Sequence, residues 1–305
     1  MAVWEEIKQS FKSGSAVTKL IYVNIAVFIT VRLIHAIGVL FLQFNDTEIL
    51  SWLAVPAYLS DLFAKPWTII SYMFLHFDFL HILFNMLVLY WFGTIFTSYL
   101  NEKKLITTYI LGGIAGALLY IFAFNTIPLF QPVLKNSIAL GASASVMAIV
   151  IAISFYIPNH SIRLMFIGEV KLKYIALVYL GIDILSIVGE NAGGHIAHLG
   201  GALYGIIFIT QYKKSKDIDL WMQKLLDWIV GLFKPRSKMK VNYNKGSKKN
   251  PGFNRTQHET DMEYNARKAS EQEEINTILD KIAKSGYDSL SKAEKEKLFK
   301  MSNKN

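Results

Sequence analysis

The sequence predicts an all-α, polytopic membrane protein with a polar helical tail. Three observations carry this. Of the 305 residues, 52% are hydrophobic and the mean hydropathy is positive, which is too apolar for an ordinary soluble protein. Six stretches approach the roughly 20 apolar residues a spanning helix needs, at about 19–41, 72–99, 105–124, 138–157, 172–189 and 195–212. The charge is also split. Residues 1–212 hold 11 Lys/Arg against 10 Asp/Glu, whereas 213–305 hold 21 against 13, so most of the net +9 lies beyond Tyr212. The absence of Cys excludes a disulfide framework and a thiolate metal site.

Residues 1–18 are polar and mixed in charge, without the short apolar core and small-residue cleavage site of a signal peptide, so the first span is expected to stay as an anchor. That span carries Arg32 and His35, which either snorkel or face protein. The loops set the orientation. With the N-terminus inside, the inner segments hold Lys8, Lys12, Lys103, Lys104, Arg163 and Lys171, while the outer loops hold Lys65 and Lys135, as the positive-inside rule requires. Both termini are then cytoplasmic. The first outer loop, about 42–71, contains Trp52, Tyr58 and Trp67 among apolar neighbours and is expected to lie partly in the interface.

Beyond the spans, residues 213–233 place Ile218, Trp221, Met222, Leu225, Trp228, Ile229 and Leu232 on one helical face, an interfacial amphipathic pattern. Residues 234–257 hold eight Lys/Arg and no acid and read as a basic linker. Residues 258–305 read as a small helical tail with a stripe of Ile275, Leu279 and Ile282, a break at Gly286 and a capping box at Ser291 and Glu294. The expected organisation is therefore a segment 1–18, a core 19–212, and tail segments 213–233, 234–257 and 258–305. Beside membrane spans, the basic charge points to anionic lipid rather than nucleic acid.

The chemistry lies in three spans. Ser143 falls about five residues inside span four, counted from the outside. His198 has similar depth in span six, and His81 and Asn85, one turn apart, lie near the outer end of span two. Polar groups at such depth are costly and commonly functional. A serine hydroxyl attacks only when a base takes its proton, and histidine is the usual base. The oxyanion formed on an amide needs donors, which Asn85, His81 and a backbone N–H near Ser143 could provide. No acid is evident at this depth; Asp183 sits about midway along span five and is not enlisted. The pair His195 and His198, with His76 and His81, invites a metal reading. No HExxH and no carboxylate at the right depth completes one, so neither metal nor cofactor is expected. Gly201 and Gly205 on span six, and Ala144, Ala148 and Ala152 on span four, form small-residue stripes suited to close helix packing.

These motifs resemble the rhomboid family of intramembrane serine proteases over about residues 65–212. His81-Ile82-Leu83-Phe84-Asn85 is similar to the family's HxxxN element, Gly141-Ala142-Ser143-Ala144 to its GxSG element, and Ala197-His198 through Gly205 to its AHxxGxxxG element. The resemblance implies a six-helix bundle with Ser143 as nucleophile, His198 as base, and Asn85, His81 and the Ser143 N–H as oxyanion hole. It also implies substrates that are transmembrane proteins in a lipid bilayer. Three positions depart from the pattern: Ala144 replaces a common Gly, Met147 stands where many members have a Tyr beneath the imidazole, and Thr68 follows Trp67 where a Trp–Arg pair is frequent. A bacterial inner (cytoplasmic) membrane is the expected location. Two alternatives are a catalytically inactive rhomboid-like protein that binds membrane clients, against which retention of Ser143 and His198 argues, and a transporter, against which the lack of an internal repeat argues.

Overall fold

A computed structural model describes residues 2–42, 46–164, 168–233 and 261–302. It divides into two compact units, residues 1–235 and 236–305. The expected basic linker, 234–257, lies outside the described residues.

The first unit opens with α1 (Ala2–Ser13) and α2 (Ala16–Leu42), then α3 (Asp46–Leu53), β1 (Val55–Pro56), α4 (Leu59–Ala64) and α5 (Thr68–Ser71). The bundle follows as α6 (Phe79–Tyr99), α7 (Glu102–Thr126), β2 (Ile138–Ala139), α8 (Ser143–Tyr156), the hairpin β3 (Ser161–Leu164) and β4 (Gly168–Lys171), α9 (Leu172–Leu185), α10 (Ala192–Lys213) and α11 (Leu220–Phe233). Among the described residues, α2, α6, α7 and α10 are long and apolar enough to cross a membrane, and α8 is a shorter apolar helix. The bundle's lateral surface exposes Ile29, Leu33, Leu40, Phe84, Phe122, Leu177 and Leu203, an apolar skin that suits lipid as solvent. The chain is an all-α polytopic membrane protein.

The interior inverts that pattern. Residues Ala144 through Ser154 of α8 are all buried, as befits a helix apolar on every face at the centre of a bundle. It packs against α6, α7, α9 and α10. Close approach to α10 depends on glycine. A Cβ at Gly201 would lie 2.0 Å from the Ala144 carbonyl oxygen, and one at Gly205 2.5 Å from that of Ala148. The small-residue stripes of spans four and six thus face each other. Gly201→Ala is expected to force α10 off α8 and destabilise the bundle by about 1–3 kcal/mol, read as a lower melting temperature in detergent; an unchanged value would contradict this packing.

Several spans differ from their sequence-based bounds. Span two is broken. A 3₁₀ turn covers Tyr72–Phe74, Leu75 is extended, and α6 starts only after Asp78, whose carboxylate accepts the His81 backbone N–H at 3.0 Å. Asp78 is a helix N-cap there. Span four starts at Ser143 rather than 138, because Ile138–Ala139 pairs antiparallel with Val55–Pro56 and Gly141 takes φ +122°, which a helix cannot hold. Span five ends at Leu185 rather than 189. The 14-residue α8 and α9 are about 21 Å long, shorter than a hydrocarbon core of about 30 Å, so Ser143 starts its helix below one membrane surface when the other end is flush.

Arg32 and His35 both face Phe77: the guanidinium lies 4.6 Å from the ring centroid, and the imidazole meets it edge-on at 5.2 Å. In the first outer loop, the Trp67 indole stacks on Trp52 and donates to the Trp52 carbonyl at 2.8 Å. Lys65 lies 5.0 Å over the Trp52 ring and donates to Ser51 O at 2.9 Å. With Thr68 beside Trp67 in place of an Arg, Lys65 supplies the cation–π anchor, and the Thr68 hydroxyl donates to the Lys65 carbonyl at 2.7 Å.

At the other end of the bundle, α11 is tied to α7. Buried Asp219 accepts from the Thr107 hydroxyl at 2.6 Å and from Lys104 Nζ at 3.4 Å, and Lys104 also reaches Asp217 at 2.6 Å. Met222 is buried, while Trp221, Leu225, Trp228 and Leu232 are exposed, the amphipathic arrangement expected of a surface-lying helix.

The second unit contains α12 (Asp261–Ser285) and α13 (Lys292–Ser302). Its buried residues include Ile278 and Leu290, whereas Leu279 is exposed, so the expected stripe turns toward Ile278 instead. The capping box forms: Glu294 accepts the Ser291 backbone N–H at 2.7 Å and Lys281 Nζ at 3.0 Å. The Ser291 N–H and Lys281 together hold the Glu294 carboxyl down to about 2.

Candidate active site

A cavity of about 1020 Å³ opens within the bundle, lined by Ser143, His198, His81 and Asn85 together with Asp183 and His195. The four residues singled out from sequence thus border one space, although they lie on three helices.

Ser143 is the first residue of α8, at the end of a pinned strap. Its predecessors are sewn in place by the β1–β2 pairing, by the Ala57 N–H to Ser137 O bond at 3.0 Å, and by the Gly141 N–H to Tyr72 O bond at 2.9 Å. The Ala142 N–H donates to His76 Nε2 at 3.3 Å. Gly141 is required twice over. Its φ is +122°, and a Cβ there would meet His81 Cε1 at 2.7 Å and approach Ser143 Oγ at 3.7 Å. The first bond of α8 runs from Val146 N–H to Ala142 O at 2.9 Å, so the N–H of Ser143 precedes the intrahelical ladder. His76, which the sequence offers only as a metal ligand, is a buried acceptor for the strap and meets His81 edge-on, centroids 5.1 Å apart.

His81 lies in the first turn of α6, and Asn85 one turn later donates from Nδ2 to the His81 carbonyl at 2.9 Å. That bond fixes the amide and leaves its second N–H for another acceptor. Met147 is buried one turn after Ser143 and packs with Ile151, Ala176 and Ala202.

The sequence reading of Asp183 is corrected by the geometry. Asp183 is buried at 3% exposure, and its Oδ1 lies 2.9 Å from His198 Nδ1 and 2.8 Å from His195 Nδ1. A carboxylate does stand at the depth of the histidines. Counting along a full-length span five put Asp183 near mid-membrane. Because α9 stops at Leu185 and α10 begins at Ala192, Asp183 instead sits in the last turn of α9, against the first two turns of α10. The signal that could have found it is its type: an acid inside an apolar helix requires a partner. With a carboxylate accepting at Nδ1, the neutral His198 ring carries its proton there and presents Nε2 as an acceptor.

Residues 64–214 match a family model described as the Rhomboid domain. The chain belongs to the rhomboid family. Rhomboid relatives include the mitochondrial RHOMBOID-like protein 12 of Arabidopsis thaliana, 29% identical over 49% of this chain and 47% of that protein. The mitochondrial presenilin-associated rhomboid-like protein A of Danio rerio is 30% identical over 45% of this chain and 35% of its own. The rhomboid protease GlpG of Yersinia pestis (strain Pestoides F) is 37% identical over 26% of this chain and 28% of its own. The chain thus spans less than half the length of these rhomboid relatives. The rhomboid match ends near the end of α10, and residues 258–304 match a separate family of unknown function, DUF6576.

Proposed function

We propose that this rhomboid protein is an intramembrane serine endopeptidase that cleaves transmembrane segments of membrane proteins. One observation carries the reading most: Ser143 and His198 line a single cavity while Asp183 occupies His198 Nδ1, leaving Nε2 free to take a proton from a serine hydroxyl.

In this mechanism Ser143 Oγ attacks a substrate carbonyl as His198 Nε2 accepts its proton. Asp183 acts on His198 as a positioning residue, holding the ring in the useful tautomer and stabilising the imidazolium that forms. The tetrahedral oxyanion is met by the Ser143 N–H, the Asn85 amide and His81. His198 then protonates the leaving amine, and a second round with water releases the acyl group and regenerates Ser143. The reaction needs no cofactor. Asn85→Ala is expected to lower kcat by about 10²–10³; kcat and KM both at wild-type values would make Asn85 structural.

Substrates of this reading are single-span proteins cut near the outer end of their helix. A helical peptide bond is shielded by its own hydrogen bonds, so Gly and other helix-weakening residues near the cut should favour cleavage. The membrane itself is the general conclusion. The sequence pointed to a bacterial inner membrane, whereas two of the relatives above are mitochondrial by name and one is bacterial. We therefore take a bacterial or a mitochondrial membrane as the setting.

The test is cleavage of a single-span test protein co-reconstituted with the purified chain in vesicles. New fragments that map to the substrate's membrane segment support the reading; an intact substrate across a panel with helix-weakening residues supports the client-binding alternative. The proposed catalytic residues all lie in residues 1–235, so deletion of 236–305 is expected to leave turnover in neutral detergent within about three-fold of the full chain, a change under 1 kcal/mol. A folded but inactive truncation would place the tail within the catalytic unit.

A further inference from the structure

Asp183, His195 and His198 each offer one ligand atom, and the three atoms lie within 4.8 Å of one another. The two histidines are three residues apart on α10, so both rings project from neighbouring positions on one face. Both aim Nδ1 at the same carboxylate oxygen, at 2.8 and 2.9 Å. Among the described residues, the other oxygen, Asp183 Oδ2, is buried without a hydrogen-bond partner. The carboxylate therefore has acceptor capacity that the protein does not use, a costly condition in a buried site. Among the described residues, the cavity is lined by Glu190 and by no Lys or Arg, so its fixed charge favours a cation.

We propose that these three residues form an inhibitory site for zinc or a chemically similar divalent transition-metal ion. Two imidazoles and a carboxylate are a donor set that such ions favour, with a fourth position left toward the cavity for water. Tetrahedral ligands about 2.0–2.1 Å from zinc stand about 3.3 Å apart, so the two N···O edges, at 2.8 and 2.9 Å, need to open by only about 0.5 Å, and the edge between the two imidazole nitrogens already lies within 4.8 Å. The sequence argues against a metal on two grounds, the lack of HExxH and the lack of a carboxylate at this depth, and Asp183 removes the second.

The consequence rests on the protease reading; the binding does not. Coordination uses the lone pair of His198 Nδ1, so the proton there moves to Nε2 and no proton need leave the neutral ring. The ion replaces two N–H···O bonds to Asp183. An Nε2 that carries hydrogen cannot accept the Ser143 proton, so the metal-bound protein is inactive until a chelator removes the ion.

The experiment has two arms, both on the tag-free full chain in detergent. In the first, the Ser143→Ala chain, stripped with a chelator, is titrated with Co²⁺ and followed by its visible absorption. One Co²⁺ per chain is expected, displaced by Zn²⁺, with affinity at least about ten-fold weaker in a folded His195→Asn, Ser143→Ala chain. In the second, Zn²⁺ is expected to stop cleavage by the Ser143-containing chain and EDTA to restore it, with His195→Asn raising the half-inhibitory Zn²⁺ concentration at least ten-fold. No saturable Co²⁺ spectrum, or one indifferent to His195→Asn, overturns the site. Binding without inhibition of an active chain overturns its inhibitory role. Binding in a chain that never cleaves leaves the metal site standing and removes the protease reading instead.

Discussion

Ser143→Ala and His198→Ala are each expected to abolish cleavage of a membrane substrate, by on the order of 10⁶ in kcat. The expectation follows from placement. Ser143 begins α8 at the end of a strap held by Tyr72, His76 and the β1–β2 pair, so its hydroxyl is presented to the cavity by backbone that cannot easily be rearranged. His198 sits on α10, whose distance from α8 is set by Gly201 against Ala144. In the proposed mechanism nucleophile and base act as a unit, so removing either should cost about as much as removing both. Neither change should unfold the protein, because both side chains border the cavity rather than fill the core. The check is turnover beside the melting temperature of each variant; residual activity near wild type in a folded variant would refute its assignment.

The second large effect is at Asp183. Asp183→Asn is expected to lower kcat by about 10²–10⁴ while KM changes little. An Asn side chain occupies the same volume and can still accept a hydrogen bond. It can equally turn its NH₂ toward His198 Nδ1 and favour the wrong tautomer, and it has no charge with which to stabilise the imidazolium. A positioning role thus predicts a loss in kcat, whereas a purely structural role predicts a lower melting temperature with normal kcat per folded molecule. The measurement is kcat and KM for the two proteins after the folded fraction has been matched. A kcat within about three-fold of wild type would remove Asp183 from the mechanism.

Much of this architecture is legible in the sequence, because a membrane span is written in local hydropathy and the polar residues that interrupt a span stand out. The long helices α2, α6, α7 and α10, and the gathering of Ser143, His198, His81 and Asn85 on one side, follow from that. What is not legible depends on contacts distant in sequence. The start of α8 is set by pairing of Ile138–Ala139 with Val55–Pro56, some eighty residues earlier, and hydropathy alone extends the helix through both. The placement of Asp183 beside His195 and His198 is hidden for a related reason. Depth counted along a uniform span misplaces a residue when the helix stops short, as α9 does at Leu185. Between the half-buried Ile275 and Ile282, both Ile278 and Leu279 fit a helical period, and only packing shows that Ile278 is the buried one.

The central claim is that Ser143 is an activated nucleophile. The most direct measurement is intact-mass spectrometry of the purified full chain after treatment with a fluorophosphonate, which bonds covalently to an activated serine hydroxyl. The account predicts a single adduct that maps to the peptide carrying Ser143, is absent from Ser143→Ala, and is strongly reduced in His198→Ala. A folded wild-type chain that forms no adduct, or one that carries it on another serine, would contradict the account.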